Sequence, residues 1–316
     1  MRKEISSLFK FKTKKTKKNI FWILVLMVLF ITVNGLFIYI FNFSGFYFYA
    51  VKKIIPYPAL IVGNKIVTFS YYDEKLSESK KIYEIAYRVN FNSGTDSKKN
   101  LDVLKENVKN EIIDRITMEG LLKSEEVSIT TADTNKEYNN MLKNIGSDKE
   151  ILNILKYSSG IKDSDIKDQI YQGLLKEKVK NDFVYNLKMK VIVIKPDDST
   201  KEEDWNKAAQ KSQEIYNDII SGNSSFDKYQ VLYGDKNDPI VQNFGRDYYF
   251  GEDLPEGLRD NFYALKLNKV NEPIKGEGGY YIFNVLEKKG YYHGSYSDFM
   301  KEQTSKIRIV SFMSKP

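Results

Sequence analysis

Cysteine is absent from this chain of 316 residues, and histidine occurs once, as His293. The absence of thiols excludes disulfides, zinc–thiolate sites, cysteine nucleophiles and lipidation at cysteine. A serine hydrolase would need His293 as its base, but this residue follows two tyrosines in a segment that reads as a surface loop. The sequence therefore predicts no metal site and no cofactor.

Positive and negative charges balance over most of the chain. Lys and Arg number 49 against 42 Asp and Glu, and eight of the basic residues lie among the first 19 positions, where Glu4 is the one acid. The formal net charge of +7 is therefore a property of residues 1–19, and the remainder is balanced. Because the remainder has no basic excess, the pI of about 9.0 is not evidence for binding to nucleic acid.

The basic segment is followed by an apolar run, since Ile20 to Phe41 contains no charged side chain. At 1.5 Å per residue a helix of this length spans about 33 Å, enough to cross the hydrocarbon core. A cleavable signal peptide is the alternative, but it has a shorter apolar region followed by a small-residue cleavage site, and no such site is evident. We expect a transmembrane anchor over 20–43, with 1–19 cytoplasmic and the rest extracytoplasmic.

A juxtamembrane linker is expected over 44–58. Aromatic residues at its start are typical of the outer membrane interface: Phe43, Phe46, Tyr47, Phe48 and Tyr49. The Ile55-Pro-Tyr-Pro58 segment is stiff, because each proline fixes its own φ and restricts the preceding residue to extended conformations. We expect this spacer to lift the first folded domain off the bilayer.

The pattern over 59–185 predicts a short hairpin followed by helices. Two apolar stretches flank Gly63-Asn64, as in a two-residue hairpin turn. An apolar stripe then recurs at steps of three and four residues and predicts a helix of about 25 residues: Leu101, Leu104, Val108, Ile112 and Ile116. Thr130 with Asp133 predicts the start of a helix that runs to about Ile145, and a further helix is expected from about Asp163 to Phe183.

Residues 188–287 carry motifs in a recognisable order. Phe262-Tyr-Ala-Leu-Lys266, Glu272-Pro-Ile274 and Gly279-Tyr-Tyr-Ile282 resemble the "FALK", "PV" and "GYHI" segments of parvulin-type peptidyl-prolyl isomerases. The strand that begins "SHILV" in that family corresponds to 190–194. Val191 then replaces the first family histidine, or Lys190 does if the register slips by one, and Tyr281 replaces the second.

The resemblance implies a parvulin-like βα3βαβ2 domain over 186–290. It implies a dry pocket for a proline ring, which in this chain would be lined by residues at family framework positions: Val191, Phe244, Leu258 and Phe262. The polar network beside that pocket, built on two histidines in the family, would be reduced to Tyr281 and Asp235. A tyrosine hydroxyl can donate a hydrogen bond to a carbonyl oxygen, so Tyr281 is the candidate catalytic residue together with Asp235.

The order of anchor, helical segment and parvulin-like block resembles the SurA/PrsA type of exported foldase. The fold class is then α+β, with a mostly helical chaperone domain over 59–185. Residues 291–316 are expected to form a helix and a strand that pack back on it, because a lone strand over 307–312 needs a partner. The edge of the first hairpin would supply that partner.

The function predicted from this resemblance is a membrane-anchored extracytoplasmic foldase or chaperone that binds unfolded or translocating polypeptides. Its partners would be unfolded or proline-containing polypeptides and the lipid bilayer. Two alternatives stay open at this point. One is an active peptidyl-prolyl isomerase with a non-standard site, and the other is a structural subunit of an envelope or secretion complex.

Overall fold

The computed structural model describes residues 2–41, 45–91, 96–145, 160–233, 248–254 and 256–313, with side chains from Asn19 onward except at positions 86, 145 and 256. The α+β class is confirmed. The helices are α1 (Arg2–Tyr39), α2 (Phe46–Ile54), α3 (Phe69–Ala86), α4 (Ser97–Ser124), α5 (Thr131–Ile145), α6 (Asp163–Phe183), α7 (Glu202–Ile220), α8 (Phe226–Tyr233), α9 (Glu256–Phe262) and α10 (Tyr296–Ser305). The strands are β1 (Pro58–Val62), β2 (Lys65–Thr68), β3 (Asn186–Ile194), β4 (Tyr249–Phe250), β5 (Ile274–Gly276), β6 (Gly279–Lys289) and β7 (Ile309–Ser311).

These elements divide into two compact units. The first unit comprises Met1–Ile116, Lys143–Ile166 and Lys306–Pro316, and the second comprises Thr117–Leu142 and Lys167–Ser305. The three divisions of the helical region fall inside α4, α5 and α6, so neither unit coincides with the 59–185 segment that the sequence marks out.

The sheet of the first unit joins two segments that are far apart in the sequence. Its strand order is β2-β1-β7, and both pairings are antiparallel. The turn between β1 and β2 uses Gly63 at φ 60°, a conformation that favours glycine. The strand expected near the C-terminus is therefore present, and it adds to the hairpin edge as the sequence predicts.

The core of the first unit continues into the end of α1. Ile38 is 4% exposed and belongs to the same buried cluster as Val51 of α2, Leu60 of β1 and Val108 of α4. The apolar stripe predicted for α4 accounts for the last of these contacts, since Leu104, Val108 and Ile112 are all buried. A candidate membrane span of Asn19–Tyr39 lies within α1, and it ends before the position 43 expected from the sequence.

The linker over 44–58 contains a helix that the sequence analysis did not predict, while Ile55, just before the first proline, is extended. Most of the linker is α2, and the chain after α2 returns to α1 instead of leading away from it. The Tyr57 hydroxyl donates to the carbonyl of Ile31 at 2.6 Å, and the Tyr39 hydroxyl donates to the carbonyl of Pro58 at 3.0 Å. Gly35 allows this approach, since a Cβ there would lie 3.3 Å from Cε1 of Tyr57. Phe43 lies outside the described residues.

The sheet of the second unit has the order β4-β3-β6-β5, with antiparallel pairing throughout. The β3–β6 ladder is the longest and runs from Asn186↔Lys289 to Ile194↔Tyr280. Helices α7 and α8 contribute to the buried cluster on one face of the sheet, and α9 contributes to the cluster on the other face. Of the three helices expected between the first two strands, α7 and α8 lie within the described residues.

A third buried cluster in this unit joins helices that are distant in sequence. Its members come from the end of α4, from α6 and the residue after it, from β4 and from α10: Met118, Leu122, Leu175, Val179, Phe183, Val184, Phe250, Phe299 and Met300. Near it, α5 begins where the sequence predicts, because Thr130 and Asp133 cap each other. The Thr130 N–H donates to Oδ2 of Asp133 at 2.8 Å, and the Asp133 N–H donates to Oγ1 of Thr130 at 3.2 Å.

Candidate functional site

The β3–β6 ladder decides which predicted site residues share a face of the sheet. Val191 pairs with Phe283, and Val193 pairs with Tyr281, so all four side chains belong to one buried cluster. Lys190 points to the other face, because side chains alternate along a strand, and its ammonium is ion-paired with Asp227 of α8. Val191, and not Lys190, therefore accompanies Tyr281.

Helix α9 brings two further predicted residues to the same face. Leu258 and Phe262 are four residues apart, so they lie on one side of the helix, and both belong to the cluster of Val191 and Tyr281. Gly276 of β5 permits close packing of the Tyr281 ring against Leu258. A Cβ at Gly276 would lie 2.8 Å from Cε2 of Tyr281 and 3.1 Å from Cγ of Leu258.

These four residues are together but shielded from solvent. The exposed fractions are 0% for Val191 and Phe262, 1% for Leu258 and 2% for Tyr281. Such a face is an apolar contact surface, with the Tyr281 hydroxyl as the one polar side-chain group among the four. The other two predicted site residues, Asp235 and Phe244, lie outside the described residues.

An aromatic group that the sequence analysis missed lies in contact with Phe262. The rings of Tyr185 and Phe262 meet edge to face at 5.6 Å, and His293 stacks on Tyr263 with ring centroids 4.5 Å apart. His293 also meets the edge of the Tyr185 ring at 4.8 Å. No spacing rule joins positions 185, 263 and 293, so no signal in the sequence could have predicted the group.

The polar atoms of this aromatic group differ in their surroundings. The Tyr185 hydroxyl is buried and has no hydrogen-bond partner among the described residues. Burial raises the pKa of Tyr263 above its usual range, which favours the neutral form of its hydroxyl. His293 is exposed, as a surface histidine would be. The arrangement can stack on or hydrogen-bond to a ligand.

We also looked for side chains that could bind a metal ion together. Within the described ranges, no three His, Cys, Asp or Glu residues are arranged so that they could hold a metal ion.

Comparison with known proteins identifies the sheet that carries this site. The family model described as the rotamase PPIC-type PPIase domain matches residues 192–287. This part of the chain is a parvulin-type domain. The parvulin-type domain therefore includes Tyr281, Leu258 and Phe262, and its match begins one residue after Val191.

Relatives extend the likeness beyond the parvulin-type domain. A parvulin-like PPIase of Rickettsia bellii (strain RML369-C) is 27% identical over 229 residues, covering 71% of this chain and 74% of the relative. A parvulin-like PPIase of Rickettsia typhi (strain ATCC VR-144 / Wilmington) is 28% identical over 233 residues, with the same two coverages. Both alignments are longer than the domain match itself.

Solved structures give weaker geometric likenesses. PrsA from Bacillus anthracis, a peptidylprolyl isomerase, is 21% identical with a TM-score of 0.28, over 62% of this chain and 86% of that one. One of two SurA-like chaperones of Campylobacter jejuni is 11% identical with a TM-score of 0.29, over 80% of this chain and 98% of that one. The family match and the Rickettsia relatives thus confirm the parvulin-type resemblance read from the sequence.

Proposed function

We propose that this protein is a membrane-anchored extracytoplasmic foldase that acts mainly by holding unfolded or translocating polypeptides, with little or no prolyl isomerase activity. The observation that carries the proposal is the chemistry of the sheet face that holds Val191 and Tyr281 in the parvulin-type domain. Val191 and Tyr281 stand where the family resemblance expects histidines, and both are buried against Leu258 and Phe262. A valine side chain can neither donate nor accept a hydrogen bond, so half of the family's polar pair has no replacement at its position.

Membrane anchoring is supported by the apolar part of α1. The span Asn19–Tyr39 is long enough to cross a bilayer, and most of its large side chains are exposed to the surroundings. The basic residues before it favour a cytoplasmic N-terminus. The parvulin-type domain and the sheet of the first unit would then both act outside the cytoplasm.

The holding function predicts that the full chain, reconstituted in nanodiscs, lowers the light scattering of an aggregating model client at equimolar ratio. Exposed apolar segments of the client would be captured before they associate with one another. Empty nanodiscs, and nanodiscs that carry α1 alone, are the controls. Unchanged client aggregation at excess protein would favour the structural-subunit alternative over a chaperone.

The catalytic deficit predicts a slow isomerase. Because positioned proton donors and acceptors contribute about 10²- to 10⁴-fold to catalysis, we expect the full chain to accelerate a proline-limited refolding reaction at least about 100-fold less than a parvulin with both histidines. Refolding of a client with a trans-to-cis limited step, followed by fluorescence, measures this directly.

An active isomerase with a non-standard site is the second candidate, and the location of Tyr281 favours it. This hydroxyl is on the same sheet face as Leu258 and Phe262, which the resemblance assigns to the proline pocket. The variant Tyr281→Phe keeps the ring and removes only the hydroxyl, so it tests the candidate with little change in packing. If the wild-type rate is substantial and Tyr281→Phe abolishes it, Tyr281 is catalytic and the proposal of a degenerate domain is wrong.

A further inference from the structure

Helix α2 packs along the end of the candidate membrane span. The rings of Phe48 in α2 and Phe37 in α1 lie 6.1 Å apart. Val51 of α2 is 5% exposed and belongs to the same buried cluster as Ile38 of α1. The two helices therefore form a packed pair, and α2 is not a free linker.

The position of this packing along the candidate membrane span follows from a contact of Tyr57. Its hydroxyl bonds to the carbonyl of Ile31, which precedes the end of the span at Tyr39 by eight residues. At 1.5 Å per residue, this contact lies about 12 Å along α1 from the outer end of the span. When α1 crosses a bilayer, Tyr57 and the adjoining part of α2 lie at the level of the outer leaflet.

The free face of α2 has the composition of an interfacial helix. Phe46 is 90% exposed and Ile54 is 82% exposed, with Tyr47 and Tyr49 about half exposed. Basic residues end the helix, and the Lys53 ammonium lies 4.6 Å from the ring centroid of Tyr49. Aromatic and aliphatic side chains beside lysines are what a helix at the headgroup boundary presents to lipid.

An apolar groove separates the two helices on this side. It measures about 670 Å³ and is lined by Leu26, Met27, Leu29, Phe30, Val33, Asn34, Phe37, Tyr47 and Phe48. The amide of Asn34 donates to the carbonyl of Phe30 at 2.9 Å, inside its own helix. The lining thus offers mostly hydrocarbon contacts, and an acyl chain is the ligand that matches it at this depth.

We propose that α2 and Tyr57 form a collar that binds phospholipid of the outer leaflet and holds the first unit against the membrane surface. This rests on the proposed membrane anchoring and adds to it a defined lipid-contacting surface. Because the core of the first unit runs from Ile38 through Val51 to Leu60, immersion of the collar would fix that unit at the bilayer and would not leave it on a flexible tether.

The test uses the full chain in vesicles of phosphatidylcholine and phosphatidylglycerol whose acyl chains carry bromine near the headgroup end. The chain has two tryptophans, Trp22 and Trp205, so single-tryptophan proteins are available by replacing one or both with phenylalanine. The probe is Phe46→Trp, at an exposed position of α2. The matched control is Tyr87→Trp, 68% exposed and beyond the far end of α3.

Bromine is expected to remove most of the emission of Phe46→Trp and to leave that of Tyr87→Trp nearly unchanged. A protein that keeps only Trp22, near the inner end of the span, reports insertion of α1 through quenching by the same bromine near the headgroup end. If Trp22 is quenched and Phe46→Trp is not, the collar is overturned while anchoring stands. If neither is quenched, anchoring itself fails. Phe46→Trp emission that depends on protein density and not on bromine would mean that a second copy covers α2, which also overturns the lipid collar.

Discussion

The substitution Val310→Pro is expected to destabilise the first unit strongly, whereas Ser311→Pro should leave it nearly unchanged. Gly63 N–H donates to the carbonyl of Arg308, and Phe312 N–H donates to the carbonyl of Ala59. Between these bonds, the antiparallel register pairs Val310 with Ile61, so the Val310 N–H is directed at β1. Proline would remove that donor and leave a carbonyl of the central strand β1 without its hydrogen bond. We expect a loss of about 2 kcal/mol or more in the free energy of unfolding.

The Ser311 N–H is directed away from β1, and β7 is an edge strand of its sheet, so proline is tolerated at position 311. Val310→Ala serves as a second control, because it shortens the side chain and keeps the N–H. Hydrogen exchange of the amides in β1 measures the effect without interference from the second unit. Equal protection of β1 in the two proline variants would contradict the pairing of β7 with the hairpin.

Protease added to intact protoplasts is expected to digest the protein after about residue 53 and to spare the N-terminal tail. Eight basic residues precede Ile20 against one acid, and this asymmetry retains the N-terminus in the cytoplasm. Immunoblots against a tag at each end, before and after lysis, measure the orientation. Protection of the C-terminal tag in intact protoplasts would contradict the extracytoplasmic location.

A charge variant provides the matched control for orientation. Replacing Lys14, Lys15, Lys17 and Lys18 by glutamine removes half of the basic residues of the tail without changing the apolar run. We expect a larger protected fraction of the body in this variant, since the charge bias that sets orientation is weaker. An unchanged protease pattern would mean that positive charge does not determine the orientation.

Local patterns in the sequence predicted the elements whose stability depends on near neighbours in the chain. Apolar residues at helical spacing predicted α4, the Thr130–Asp133 pair predicted the start of α5, and Gly63 predicted the hairpin turn. Helix α3 carries no such stripe and is not predicted, because its partners lie elsewhere in the chain: the Tyr72 hydroxyl donates to the carbonyl of Lys105.

The sequence proposes the residues of the candidate site, but it does not give their strand register or their burial. The motif "Gly-Tyr-Tyr-Ile" predicts that Tyr281 stands in place of a family histidine, since a single position in the sequence carries that information. Whether Val191 or Lys190 accompanies it depends on strand register, which is set by cross-strand packing. The burial of Tyr281 and Val191 depends likewise on α9, whose contacts the sequence of β3 and β6 does not specify.

By itself, then, the sequence determined the absence of thiol chemistry and of a histidine pair, the apolar run that follows a basic tail, and the parvulin-type motifs. Each of these depends on which residues are present and in what order. Tertiary structure alone decided that Tyr57 returns to Ile31, that α2 packs on α1, and that Tyr185, Tyr263 and His293 meet. Such contacts join positions far apart in the chain, and their free energy comes from shape and burial that exist only once the chain has folded.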